Sequence, residues 1–210
     1  MLLPAVFVPV AEETMLISDI GERVLIMACK ECASWHESGY PDMVVSVNLS
    51  IRQIQNNKII NQVNNALLQS GLRPTALDLE ITESLFINNT DQMVAIFQEL
   101  KRMGVIISMD DFGTGYSSLS SLKKFPIDII KIDQSFLKDI NTGSINDKLI
   151  MAIIQVAKAL CLKTIAEGVE TQAHMDCLTR KGCDAVQGSF IDKPMLAHDF
   201  FKKYISKIVD

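Results

Sequence analysis

Several absences narrow what this 210-residue chain is before any motif is considered. No apolar run approaches the roughly 20 residues of a membrane-spanning helix. Histidine occurs only three times, as His36, His174 and His198, with no HExxH or similar metal spacing. Five cysteines are an odd number, and the default expectation for them is reduced thiols. Cys29 and Cys32 form a CxxC, but it falls inside a helix-like run, and Cys177 and Cys183 do not form a second zinc pair. Basic residues do not dominate. The net charge of -5 argues against non-specific nucleic-acid binding, which needs a basic surface. The opening MLLPAVFVPVAEE has no basic n-region and carries two prolines, so it is expected to be a buried N-terminal segment and not a signal peptide. Low-complexity tracts, long linkers and internal repeats are also missing, which points to one domain over residues 1–210.

What is present is a globular composition, 48% hydrophobic and 21% charged, and a repeated pattern. Six short apolar runs each end on a polar residue suited to metal binding or proton transfer. MVVSVN ends on Asn48 and LDLE on Glu80. VIISMDD ends on Asp110 and Asp111, IDIIK on Lys131, KTIAE on Glu167 and CDAVQ on Gln187. A helix-like segment follows each. Strands are expected at 43–48, 76–82, 105–110, 127–132, 162–166 and 183–187. Helices are expected at 16–38, 51–70, 90–103, 117–124, 145–160, 171–181 and 197–207, with Gly71, Gly104 and Gly182 as stops. Ile17, Ile20, Val24, Ala28, Cys32 and Trp35 are expected near one face of the first of these helices. Alternating β and α elements imply a parallel sheet with right-handed crossovers. In such folds the C-terminal strand ends share one rim, and active sites are built there.

Carboxylates and an amide are hard oxygen donors, suited to Mg²⁺ or Mn²⁺ before zinc or copper. Two such ions would acidify a shared water and stabilise in-line attack on phosphorus. On an ideal strand Asp110 and Asp111 point to opposite sides, so a common site requires the backbone to turn between them. The glycines of DFGTG permit such a turn. Lys131 is expected close to these acids, to orient a water or to stabilise charge on phosphorus.

FVPVAEET (7–14), VNLS (47–50), LEITES (79–84), DDFGTGYSSL (110–119), KIDQSF (131–136), AEGVET (166–171) and QG with KP (187–194) follow one another in order. Together they resemble the EAL domain family of bacterial cyclic di-GMP phosphodiesterases across nearly the whole chain. The resemblance implies an α/β fold, the modified TIM-type (β/α)8 barrel of that family. The family's Glu-Ala-Leu strand, with its metal-binding glutamate and a following arginine, precedes the FVPVAEE match. The chain is therefore expected to lack the first one or two strands and to be incomplete at the N-terminus.

The implied activity is metal-dependent hydrolysis of cyclic di-GMP to linear pGpG with two ions, Mg²⁺ or Mn²⁺. The implied metal ligands are Asn48, Glu80 and Asp110 for one ion and Asp111 for the other. Lys131 would orient or activate the attacking water, with Glu167 close to the metal waters. Glu83 would hold the DDFGTG loop in its working shape, and Glu170 and Gln187 would lie in the substrate or metal shell. Ser189 stands where the family often has an aromatic residue. The implied partners are cyclic di-GMP and a second copy, docked through the DDFGTG loop and the following helix, with no nucleic acid. The implied location is the cytoplasm, either free or as the cytoplasmic part of a longer, membrane-anchored protein. The alternative implication is a catalytically inactive EAL domain acting as a cyclic di-GMP receptor or protein-binding module.

Overall fold

A computed structural model describes residues 3–55, 58–83, 85, 91–115, 119–138, 140 and 144–206. Among these residues, no helix is long and apolar enough to cross a membrane. The chain divides into two compact units.

The first unit runs to Ile81 and takes in Thr90–Ile106 and the C-terminal segment from Ala197. It holds α1 (Pro4–Glu13), α2 (Ile17–Glu37), β1 (Val45–Asn48), α3 (Ile51–Gln55), α4 (Ile59–Ser70), β2 (Leu77–Thr82), α5 (Asp91–Met103) and α9 (Ala197–Phe200). β1 and β2 pair in parallel, from Val45 opposite Leu77 to Asn48 opposite Glu80. α2 packs on α4. Its buried positions are Ile17, Ser18, Gly21, Leu25, Cys29 and Cys32. This face is rotated from the expected row: Val24 is exposed and Gly21 is buried. The reason is polar. Gln53 of α3 lies against Gly21, where a Cβ would stand 2.1 Å from its Nε2. Gln62 of α4 donates to the Ser18 carbonyl and hydroxyl at 3.3 Å. Pattern reading favours apolar residue types and cannot see that glutamines fill the seam.

The expected 51–70 helix is two helices, with residues 56–57 outside the described residues. Ser50 caps the first: its hydroxyl accepts from Arg52 N–H at 3.2 Å, and Gln53 Oε1 accepts from Ser50 N–H at 3.1 Å. The expectation of a buried N-terminal segment is overturned. That stretch is α1, and Leu3, Val6 and Val10 are each more than half exposed while Ala11 is buried. Its apolar residues are spread around the helix, so only one side finds cover. The last helix is also shorter than expected, passing at Phe201 into a π turn that ends at Ile205.

The second unit holds the residues from Ile107 to Leu196 and those from Thr82 to Asn89. Its elements are β3 (Ile106–Phe112), α6 (Leu119–Lys124), β4 (Ile129–Ile132), α7 (Ile145–Ala159), β5 (Lys163–Ala166), α8 (Gln172–Lys181) and β6 (Ala185–Val186). The pairs β3–β4, β4–β5 and β5–β6 are all parallel. α7 packs on β4 and β5, burying Ile150, Ile153, Ile154 and Ala157. Two aspartates pin the starts of neighbouring strands. Asp128 accepts from Ile107 N–H at 2.9 Å, and Asp184 accepts from Thr164 N–H and its hydroxyl, both at 2.8 Å. The expected strands 105–110 and 183–187 shift: β3 runs on through both aspartates, and β6 is only two residues, ending just before Gln187.

Burial opposes ionisation of Asp184. The hydrogen bonds from Thr164, with Lys158 and Lys163 nearby, together outweigh it and hold the carboxyl below its usual value. Its contribution to stability is therefore present above the ordinary carboxylate range and is lost as pH falls through the depressed value. Thermal melts from pH 7 down to pH 3 check this. Asp184→Asn should be less stable than the parent at pH 7, and the gap should close at the acid end.

Candidate active site

β3 carries two consecutive acids, and an ideal strand would send them to opposite faces. The backbone solves this at Asp111, which adopts φ 57, the left-handed region that a non-glycine residue seldom enters. The β3–β4 register shifts between Met109 and Phe112 at the same place, so the turn acts as a bulge. Asp111 N–H is held by Asp110 Oδ1 at 2.9 Å, and the Asp111 carbonyl accepts the Thr114 hydroxyl at 2.8 Å. The result is a triad. One oxygen each from Asp110, Asp111 and Glu167 lie within 4.8 Å of one another.

Lys131 reaches this triad from β4. Its side chain is nearly fully buried, with Nζ 2.5 Å from Glu167 Oε1 and 3.8 Å from Asp110 Oδ1. Burial, then repulsion from Asp110 and Asp133, pushes the Asp111 carboxyl above its usual value, against the pull of Lys131. A divalent cation would relieve that repulsion. Three partly buried carboxylates in one place are also the donor set that Mg²⁺ or Mn²⁺ prefers, so the residues fit such an ion.

Glu83 is buried and accepts the backbone N–H of Gly113 at 2.8 Å and of Gly115 at 3.2 Å, so it holds the loop that follows the two acids. The continuation of that loop, 116–118, lies outside the described residues. Gln187 is exposed; its N–H donates to the Ala166 carbonyl at 2.8 Å and its carbonyl accepts from Val169 N–H at 3.0 Å. Glu170 is exposed and lines an open cavity of about 420 Å³ with Gln134, Gly168 and His174. In the first unit, Asn48 and Glu80 are register partners. The bond from Ser46 Oγ to Asp78 Oδ2 at 2.9 Å marks one face of the pair. Alternation puts the Asn48 and Glu80 side chains on that same face, with Glu80 buried and Asn48 exposed.

Cys29 and Cys32 of the CxxC are buried thiols, and desolvation is the largest cause lifting both, Cys29 to about 11. Asp133 faces Asp111 electrostatically but was not anticipated as part of the site. It lies in KIDQSF, two residues after Lys131.

A family comparison decides what this arrangement belongs to. The EAL domain profile matches residues 1–194. The chain belongs to the EAL domain family. It is 43% identical over 197 residues to the bifunctional diguanylate cyclase/cyclic di-GMP phosphodiesterase MucR of Pseudomonas aeruginosa, covering 94% of this chain and 29% of that protein. It is 38% identical over 207 residues to the cyclic di-GMP phosphodiesterase PdeR of Escherichia coli, covering 97% of this chain and 31% of that protein. The chain thus spans less than a third of either relative. Among solved structures, the PaMucR phosphodiesterase in complex with c-di-GMP matches at TM-score 0.91 and 42% identity, over 95% of this chain and 81% of that one. The EAL domain of Mycobacterium smegmatis DcpA matches at TM-score 0.84 and 33% identity, over 91% of this chain and 86% of that one. The α/β, partial TIM-type fold expected from the motifs is therefore the fold of an EAL domain.

Gly188 links the loop that carries Glu167 and Glu170 to Gln187. A Cβ there would stand 2.2 Å from the Val169 carbonyl oxygen and 2.3 Å from its nitrogen. Gly188→Ala must push Val169 away and strain its bonds to Gln187 and Phe190. The expected cost is about 1–3 kcal/mol, read as a lower thermal midpoint.

Proposed function

We propose that this EAL domain, taken as a single domain over the whole chain, hydrolyses cyclic di-GMP to linear pGpG in bacterial second-messenger signalling. The observation that carries the reading is the cluster of Asp110, Asp111 and Glu167 with Lys131 at 2.5 Å from Glu167, in a chain of this family. The names of MucR and PdeR, and the c-di-GMP complex of PaMucR, support the choice of substrate.

Asp110 and Asp111 would each hold a divalent ion, Mg²⁺ or Mn²⁺, and the left-handed turn at Asp111 lets adjacent acids serve two positions. Asn48 and Glu80, an amide and a carboxylate on one face of β1–β2, are proposed as oxygen ligands as well. Bound there, such ions supply Lewis-acid stabilisation of charge on phosphorus and a more acidic water. The chain's own residues do the rest. Hydrolysis joins a water oxygen to phosphorus, breaks one P–O bond to a ribose oxygen and delivers a proton to that oxygen. The Lys131–Glu167 pair orients the water: the ammonium donates to it and the carboxylate accepts its proton. Glu83 keeps the acidic loop in shape by its two bonds to backbone N–H groups. Gln187 and Glu170 offer exposed polar groups to the dinucleotide. A second copy docking through the DDFGTG loop and α6, and a cytoplasmic location, belong to the same reading.

Turnover of cyclic di-GMP with Mg²⁺ and with Mn²⁺, followed by chromatography, tests it. Product should form only with metal and disappear with chelator. Lys131→Ala should lower kcat by about 10²–10⁴-fold, and Glu80→Ala and Asp110→Asn should also cut turnover. Tight binding of the dinucleotide with no product under either metal would replace the enzyme by a receptor.

A further inference from the structure

We infer that Gln134 and Phe136 are positioning residues that tie the two acidic loops of the second unit to each other. The inference rests on the phosphodiesterase reading only where turnover is the readout.

The segment after β4 is one tight turn. Asp133 caps it, its Oδ1 accepting from Ser135 N–H at 3.0 Å, and Gln134–Phe136 form a 3-10 turn closed by Leu137 N–H on the Gln134 carbonyl at 3.0 Å. Two side chains leave this turn toward two different loops. Phe136 lies over Gly113, where a Cβ would stand 2.6 Å from Cζ and 2.8 Å from Cε2. Gln134 lies over Gly168, where a Cβ would stand 2.4 Å from the Gln134 Cβ. Both glycines have positive φ, +96° and +68°, so each loop is bent at the point where it is covered.

The spacing gives these contacts their consequence. Gly113 is two residues after Asp111, and Gly168 directly follows Glu167. The triad oxygens come one from each of Asp110, Asp111 and Glu167, and their charges repel. Glu83 grips the first loop by the N–H groups of Gly113 and Gly115. The Gln134–Phe136 turn touches both loops. It is also continuous with Lys131, which pairs with Glu167 and Asp110. A displacement of the turn therefore moves both loops together, and a loss of either cover lets the acids relax apart. Neither residue needs to touch substrate to act in this way.

Amide hydrogen exchange on the metal-free protein tests the coupling without reference to activity. Phe136→Ala should speed exchange about tenfold at 110–115 and also at 166–170, while Phe136→Leu restores most of the protection. Gln134→Gly should do the same from the other side, and Gln134→Ala, which keeps the Cβ that covers Gly168, should stay near the parent. Mn²⁺ affinity, read from free Mn²⁺ by electron paramagnetic resonance, should fall about 10-fold or more in Phe136→Ala and Gln134→Gly. In turnover, kcat should fall with KM nearly unchanged. The inference is overturned if exchange rises in one loop only, or if neither exchange nor Mn²⁺ affinity changes. Should Phe136→Ala fail to fold, the comparison of Gln134→Gly with Gln134→Ala decides the matter. A parent protein with neither Mn²⁺ binding nor turnover would defeat the phosphodiesterase reading, and the exchange comparison would still decide the coupling.

Discussion

Repulsion among three carboxylates is the constraint around which the second unit is arranged. Oxygens of Asp110, Asp111 and Glu167 lie within 4.8 Å of one another, and at an effective dielectric near 20 each pair of full charges at that distance costs about 3.5 kcal/mol. One cation, Lys131, is buried among them and is paired most closely with Glu167. One positive charge against three negative ones leaves a deficit, and at Asp111 repulsion from Asp110 and Asp133 adds to burial, the larger cause, in raising the carboxyl. The backbone keeps the acids in place in spite of the cost. A functional site is where a fold accepts such strain, because the strain is relieved when a ligand of opposite charge arrives.

The scaffolding works through backbone more than through side chains. Asp111 takes a left-handed turn that costs a non-glycine residue of order 1–3 kcal/mol. Gly113, Gly168 and Gly188 each allow something to come closer than a Cβ would permit: the Phe136 ring, the Gln134 side chain and the Val169 backbone. Buried Glu83 then closes the first loop with two bonds to N–H groups. Aspartates at the other ends of the strands, Asp128 and Asp184, do comparable work by anchoring the starts of β3 and β5. Polar residues thus secure both ends of the short parallel strands, and the apolar middle supplies the core.

Much of this was legible in the sequence because it depends on periods of two and on chain order. The parallel strands that carry Asn48, Glu80, Asp110 and Lys131, with Glu167 just past the end of β5, follow from apolar runs broken by single polar residues, and the helix stops follow from Gly71, Gly104 and Gly182, all with positive φ. What was hidden depends on contacts between segments distant in sequence. Gly21 is buried because Gln53 needs the space, which no pattern along α2 reveals. α1 reads as core by composition, yet it shows Val6 and Val10 to solvent. Asp133, Gln134 and Phe136 sit in the KIDQSF motif, but an aromatic residue near a strand end reads as packing, and only the fold sets its ring against a bare glycine.

That last case separates two ways a residue can serve a site. Lys131 draws notice by its charge: a charged residue buried on a strand costs too much without partners, so its presence calls for carboxylates beside it. Phe136 announces nothing, because an apolar side chain in a partly buried place needs no explanation. Its importance comes from what lies opposite it, a loop whose acids repel one another and whose glycine leaves no side chain to resist. Charge locates a site in sequence. The rigidity that lets the charges act is supplied by ordinary packing, and it becomes visible only when the distances are known.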